Sequence, residues 1–317
     1  MKALSLDNTR KNAFETCQRK YYHTYVKGYK SEYGSTALRY GSTWHGMKEG
    51  FYLYVLEHGW RKGGALKAAI AKGKEVWEKE TSEHVFVDDY RTFENAMYSF
   101  ARWIEDFASD EGMLEVIQPE VPFKLKVVLT DEEKEYFPDI PGTDLYFTGK
   151  IDLEVKLGGR YWVTEDKTTG GSLDKLAEQL RRSTQLMGYL VAGTAIFPSP
   201  PEGVLVTMHQ LLARKSKKTG IYGEPKIDFK RVPQIFTDGD VADWRVKFLS
   251  EANDIVREHR RNLWPKDWNA CHNYNRKCEF YNLCSQNVPL GEERLEHIYV
   301  GEPWDVLKDS KPWEGEI

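Results

Sequence analysis

The sequence predicts an α/β protein: a mixed sheet core, a helical elaboration before it and a cysteine cluster after it. Three observations carry that expectation. Up to about residue 112 the apolar residues recur at helical spacing. From Leu114 the spacing shortens to the alternation of strands. The chain then returns to helical spacing and closes on three cysteines, Cys271, Cys278 and Cys284.

At 317 residues the chain is long enough to bury a real core. We expect a single domain over 1–285: helical over about 1–112, sheet over about 113–236, a helix and the cysteines over about 237–285. A polar tail follows over 286–317. Charged residues make up 30% of the chain and the net charge is −4. The total therefore does not announce a nucleic-acid binder, and local basic patches decide that question. The N-terminus lacks the apolar stretch of a signal peptide, and no run is long enough to span a membrane. The expectation is a cytoplasmic protein with no membrane partner. In a reducing compartment the four cysteines read as ligands rather than disulfides.

In chain order, residues 7–25 are expected as a helix with Phe14, Cys17 and Tyr21 on one face, where Cys17 by itself reads as a small core residue. A loop at 31–35 precedes a helix over 37–58, in which His45 and Glu49 are four apart and share a face. Helices over about 64–80 and 89–109 carry apolar stripes that read as core. Glu120 begins a strand, and an acidic, proline-containing loop fills 130–143. Two strands then meet at Gly158-Gly159, a hairpin signal that sets Leu157 opposite Arg160 and Asp152 opposite Glu165. One helix is expected from Ser172 or Asp174 to about Phe197, carrying Arg181, Arg182, Gln185 and Tyr189. A strand from Val204, a basic turn from Arg214, a strand near 229–236 and a helix over 238–261 complete the pattern.

The hairpin register gathers Asp152, Glu165 and Lys167 on one face, with Ile151, Leu153, Val155, Trp162 and Thr164 on the other. Two directly opposed carboxylates repel, and a cation between them relieves that. Carboxylate oxygens suit Mg²⁺ or Mn²⁺, and an imidazole from His45 would add a nitrogen ligand. Such an ion acidifies water and offsets charge on a phosphate, while Lys167 is suited to an anionic transition state. The bland alternative for Glu165 and Lys167 is a solvated strand edge, and for His45 a structural histidine.

At this point the motifs resemble the PD-(D/E)XK nuclease superfamily. Within it they resemble the RecB-like exonuclease group with an iron–sulfur cluster, which includes the CRISPR-associated four-cysteine exonucleases and the nuclease domain of AddB. The residues carrying the likeness are Gly149-Lys150-Ile151-Asp152, Glu165-Asp166-Lys167-Thr168, Gly41 to His45, Gln185 with Tyr189, Cys17 in Cys-Gln-Arg-Lys-Tyr-Tyr, and Cys271, Cys278 and Cys284. They span about 5–285 and occur in the family's order. The first gap of the terminal cysteines is four residues longer than the group's usual one. The resemblance implies a restriction-endonuclease-like sheet and metal binding by His45, Asp152, Glu165 and the Asp166 carbonyl. It also implies catalysis by Asp152, Glu165 and Lys167, and geometry or DNA held by Gln185 and Tyr189. The implied reaction is hydrolysis of DNA phosphodiesters, as an exonuclease on single strands or ends.

A [4Fe–4S] cluster at Cys17, Cys271, Cys278 and Cys284 is the first reading, with Zn²⁺ as the alternative, and its role is structural. Arg181, Arg182, Lys215, Lys217 and Lys218 are phosphate candidates, against the plainer reading of solvated surface. Tyr21, Tyr22, Tyr25 and Tyr29 are stacking candidates, against helix core. The competing function classes are a non-catalytic nucleic-acid-binding module and a structural iron–sulfur or zinc subunit of a recombination, repair or CRISPR adaptation complex. With no helicase fused to the chain, a helicase or recombination partner is open.

Overall fold

The computed structural model describes residues 1–87, 89–273, 276–285 and 297–317. The chain begins with β1 (Ala3–Leu6), α1 (Asn8–Thr16), α2 (Gln18–Tyr21), a π-helical turn (Tyr22–Val26) and β2 (Tyr29–Ser31). Helices α3 (Thr36–His58), α4 (Lys62–Glu83), α5 (Phe93–Asp106) and α6 (Asp110–Met113) follow. Next come β3 (Leu114–Lys126), α7 (Asp131–Tyr136), β4 (Asp144–Leu157), β5 (Arg160–Thr169), α8 (Leu173–Leu180) and α9 (Thr184–Ile196). After β6 (Val204–Leu212), β7 (Lys226–Gln234) and α10 (Asp238–Arg261) stand the short β8 (His272–Asn273), β9 (Arg276–Lys277) and α11 (Tyr281–Ser285). The last are β10 (Ile298–Val300) and β11 (Trp313–Glu316).

The described chain forms two compact units. One comprises Gly34–Val121 and Lys150–Val241; the other comprises Met1–Tyr33, Pro122–Gly149 and Ala242–Ile317. In the first, the strand order is β3-β4-β5-β6-β7. Gly158 and Gly159 have φ of +60° and +78°, the left-handed values a two-residue hairpin loop requires. They set Leu157 opposite Arg160 and Leu153 opposite Thr164, the predicted register. β5 runs parallel to β6, and β6 antiparallel to β7, so the sheet is mixed. Helices cover both faces of β5. Gly193 of α9 lies against Val163, while Gly41 of α3 lies against Thr168. Tyr40, Trp44, Phe51, Phe100, Trp103, Leu153 and Val155 form the core. α3 and α4 approach closely: a Cβ at Gly50 would stand 2.8 Å from the Ala68 carbonyl oxygen. This is the α/β architecture with a central mixed sheet flanked by helices that the sequence predicts.

In the second unit β1 pairs in parallel with β4, Ala3 opposite Asp144. β11 pairs in parallel with β3, Trp313 opposite Phe123. Phe123, Phe147, Trp244 and Phe248 pack ring on ring between strands and α10. Part of the 286–317 stretch lies outside the described residues; within the rest, Ile298–Val300 pairs with β2 and Trp313–Glu316 with β3.

Several expected elements differ. The 7–25 helix breaks at Cys17, whose φ of −168° and ψ of 118° are extended, so Cys17 is not on a face with Phe14 and Tyr21. The 130–143 loop contains α7, started by a capping box between Thr130 and Glu133. The single helix over 172–197 is two, because Ser183 caps a new start by accepting from the Leu186 amide. Arg181 and Arg182 therefore lie in a turn, both exposed. α5 begins at Phe93 rather than 89, because Thr92 accepts from the Asn95 amide. No described helix is long and apolar enough to cross a membrane.

Candidate active site

All residues of the candidate active site belong to the unit of Gly34–Val121 and Lys150–Val241. Asp152 sits on β4, and Glu165 and Lys167 alternate along β5 on the face toward α9. Lys167 donates to Glu165 and, at 2.8 Å, to Gln185 Oε1. Gln185 Nε2 donates to Glu165 Oε1 at 3.2 Å and to the Tyr189 hydroxyl at 3.1 Å. One turn of α9 thus fixes both polar ends of the Glu165–Lys167 pair.

From α3, His45 Nδ1 reaches Asp152 Oδ2 at 3.2 Å. The same oxygen accepts from the Asp166 amide at 2.9 Å. Glu120, on β3, completes a group: ligand atoms of His45, Glu120 and Asp152 lie within 4.8 Å of one another. Sequence reasoning gave Glu120 no role. It stands in a strand with φ of +50°, a left-handed value that no glycine advertised.

The charges of this group are strongly perturbed. Burial would lower the His45 pKa, but the charge of Asp152 and its hydrogen bond raise it to about 10. Burial would raise Asp152, but His45 and the Asp166 amide outweigh it and hold the pKa down. Burial, then repulsion from Asp152, pushes Glu120 and Glu165 each up to about 7. Glu165 is 2% exposed, and its Oε2 has no hydrogen-bond partner. An orphaned buried carboxylate oxygen beside three converging O and N donors fits a hard divalent cation such as Mg²⁺ or Mn²⁺. His45, Glu120 and Asp152 would hold it, with Glu165 beside that group rather than in it.

Behind β5 lies a second layer that sequence reasoning missed. Asp166 points away from Glu165 and accepts from Trp44 Nε1 at 3.4 Å, while the Lys48 ammonium stands 3.3 Å away. Lys48 is 5% exposed and lies 3.5 Å from the Trp103 ring centroid. Tyr40, Trp44, Lys48 and Tyr52 recur every four residues along α3, and all are buried. A lysine inside an aromatic stripe was the available signal. Glu49, one turn past His45, faces Lys72 at 3.8 Å instead.

The four cysteines, in the other unit, are free thiols lining one small pocket with Phe280, Tyr281 and Lys20. The Asp267 amide faces Cys17 Sγ at 3.4 Å, and His23 Nε2 stands 3.6 Å from Cys284 Sγ. Burial raises the thiol of Cys278 and pushes that of Cys284 up to about 11. Of the stacking candidates, Tyr21 is buried between Phe14 and Trp264 and presents no face to a base. Tyr22, Tyr25 and Tyr29 are half-buried. Arg181 faces Glu178 at 3.4 Å on the surface.

With this geometry in place the comparisons with known proteins fall into line. The PD-(D/E)XK nuclease superfamily matches residues 7–285, and the chain belongs to that superfamily. None of the curated proteins matches it. Among solved structures it is similar to a protein from Eubacterium rectale named “Putative exonuclease”. The identity is 13% and the TM-score 0.46, over 91% of this chain and 90% of that one. It is also similar to the protein SSO0001, at 12% identity and a TM-score of 0.28, over 68% of this chain and 74% of that one.

Proposed function

We propose that the chain is a divalent-metal-dependent deoxyribonuclease, an exonuclease on single-stranded DNA or DNA ends. The observation that carries this reading is the convergence of His45, Glu120 and Asp152 beside the Glu165–Lys167–Gln185 chain of hydrogen bonds. Bound Mg²⁺ or Mn²⁺ supplies Lewis-acid activation of water and offsets phosphate charge. Asp152, Glu165, His45 and the Asp166 carbonyl are the ligands of this reading, joined by Glu120. Lys167 acts as a cation. Burial lowers its pKa, but the adjacent Glu165 carboxylate outweighs that and raises it, so the ammonium stays protonated at neutral pH. It therefore stabilises the anionic transition state and orients the attacking water; it does not take its proton. Gln185 and Tyr189 hold Lys167 and Glu165 in place, and Arg181 and Arg182 face the phosphates.

The same reading gives Cys17, Cys271, Cys278 and Cys284 a structural [4Fe–4S] cluster, the mark of the RecB-like group.

Purified protein incubated with end-labelled single-stranded DNA and Mn²⁺ tests the reading. Lys167→Ala is expected to lower the rate at least ~10³-fold, as removal of a transition-state donor does. Degradation by Lys167→Ala at the parental rate would overturn the assignment.

A further inference from the structure

The turn that joins β6 to β7 carries a second constellation. Lys215 bridges Tyr222 across it. The Tyr222 ring lies 5.2 Å from the ring of Tyr90, which belongs to the segment before α5. Lys215 Nζ is 5.3 Å from the Tyr222 centroid, and the Arg91 guanidinium 4.6 Å from the Tyr90 centroid. Two adjacent rings therefore stand between two cations in one row, and Arg91 also pairs with Asp89 at 2.6 Å. Lys217 and Lys218 are exposed at the tip. On the neighbouring strand Lys226 pairs with Asp228 and Lys230 with Asp174. Lys215, Lys217 and Lys218 face no carboxylate at ion-pair distance among the described residues. In a chain of net charge −4, three unpaired lysines in four residues make a local positive field rather than a mixed surface.

The row sits at a defined place relative to the candidate active site. β5 runs from Lys167 to Thr169 alongside β6, with Thr169 opposite Gln210. Gly170, the next residue, lies against Arg91 and Tyr90: a Cβ there would stand 2.9 Å from Arg91 Nη2 and 3.0 Å from the Tyr90 hydroxyl. The row thus lies off the C-terminal ends of β5 and β6, the end of a parallel pair where ligands gather.

We propose that Tyr90, Arg91, Lys215 and Tyr222, with Lys217 and Lys218 at the tip, form a platform for the single-stranded nucleic acid that reaches Lys167. The platform deepens the nuclease reading and rests on it. The tyrosine rings offer faces for base stacking, which tolerates any sequence, and the lysines track the phosphates. Met208 stands opposite Lys167, and Lys215 lies seven residues further on. At ~3.3 Å per residue that is roughly 23 Å of extended chain. At ~3.4 Å per nucleotide of a stacked strand, roughly seven nucleotides cover the distance. A strand shorter than that occupies the site without reaching the platform.

Fluorescence anisotropy with 5′-labelled oligothymidylates, in Ca²⁺ to slow cleavage, tests this, alongside cleavage of the same strands in Mn²⁺. The probes are strands of about four and about twenty nucleotides, chosen to fall short of and beyond the platform. The combined variant Lys215→Ala, Lys217→Ala and Lys218→Ala is expected to weaken the long strand at least ~10-fold more than the short one. Its slope of log affinity against log salt should fall by about 2, since each single-strand phosphate contact contributes ~0.7. Tyr222→Ala should weaken the long strand roughly tenfold with the slope unchanged, as loss of a stacking face does. Parental cleavage with equal affinity and slope in both variants overturns the platform and leaves the nuclease reading standing. A parent that neither binds nor cuts either strand overturns both.

Discussion

At the carboxylate site His45 and Asp152 form an ion pair at 3.2 Å, and Glu120 and Glu165 are pushed up to about 7 by burial and by Asp152. At the cysteine site burial works in the same direction, raising Cys278 and carrying Cys284 up to about 11, so those two thiols are neutral at pH 7. One site holds more negative charge than its own residues can pair. The other holds two neutral thiols, which a metal of the proposed kind would bind as thiolates. Metal binding at the first site therefore relieves repulsion within a fold already held by β4, β5 and α9. At the second, under the proposed reading, metal binding and local folding would be the same event. The difference teaches what to expect when each site is damaged: the carboxylate site should lose chemistry and keep stability, and the cysteine site should do the reverse.

The largest effect tests that contrast directly. Cys284→Ser removes one of the four sulfurs around the pocket that joins Cys17 to the 271–284 segment. Loss of a structural metal is expected to cost several kcal/mol, equivalent to roughly 5–8 °C in thermal midpoint for a chain of this size. The variant should also lose the broad visible absorption of an iron–sulfur protein. Asp152→Asn, in contrast, removes charge from a crowded group and should leave the midpoint within a few degrees while cleavage collapses. Equal midpoints for Cys284→Ser and the parent, with absorption unchanged, would erase the distinction between the two sites. A colourless parent holding one equivalent of zinc would keep the distinction and replace the cluster.

A smaller effect concerns how the carboxylate site is held. Lys48 and Asp166 form a buried pair on the opposite side of β5 from Glu165, on the helix that also carries His45. Lys48→Met leaves the Asp166 carboxylate buried with only Trp44 Nε1 as side-chain donor, and the cost is about 3–5 kcal/mol. Lys48→Met combined with Asp166→Leu should recover most of that, because two packed apolar side chains replace a desolvated pair at little cost. Urea unfolding of the two variants measures it. The same double variant should bind Mn²⁺ about tenfold more weakly by calorimetry, since α3 loses the tie that sets His45 against Asp152. A double variant as unstable as the single one, or with parental Mn²⁺ affinity, would show that the pair does not position the site.

The two sites also differed in how far they could be read from sequence. The hairpin register was legible because a Gly-Gly loop has few geometries, and one residue of slip would turn Ile151, Leu153 and Val155 outward. Spacing set His45, Gln185 and Tyr189 on helix faces, and only the family resemblance gave them roles. Glu120 was not, because a strand residue with φ of +50° breaks the alternation that strand reading depends on. Lys48 was given no role, because a lysine is almost never buried unless it is paired, and its partner Asp166 is not adjacent in sequence. The breaks at Cys17 and at Ser183 escaped because periodicity continues across them, and capping chemistry overrides periodicity locally.

The smallest effect is a pH dependence within the unit of Gly34–Val121 and Lys150–Val241. His209 is 1% exposed, between Tyr40, Trp44 and Phe229, and neither ring nitrogen has a hydrogen-bond partner. Burial, then the charge of Lys48, lowers its pKa from 6.5 to about 3. The unfolded chain therefore binds a proton that the folded chain refuses between those two values, and His209 destabilises the fold as pH drops below 6.5. At pH 5 the loss is about 2 kcal/mol, and it is nearly absent at pH 7. Glu120 and Glu165 work with the opposite sign: their raised pKa values favour the folded state as pH falls through 7. Parental stability alone would mix the two trends, so the measurement is the difference between His209→Phe and the parent. That difference should shift in favour of the variant by about 2 kcal/mol between pH 7 and pH 5, read from urea unfolding at each pH. A difference that stays flat would assign acid sensitivity to groups other than this histidine.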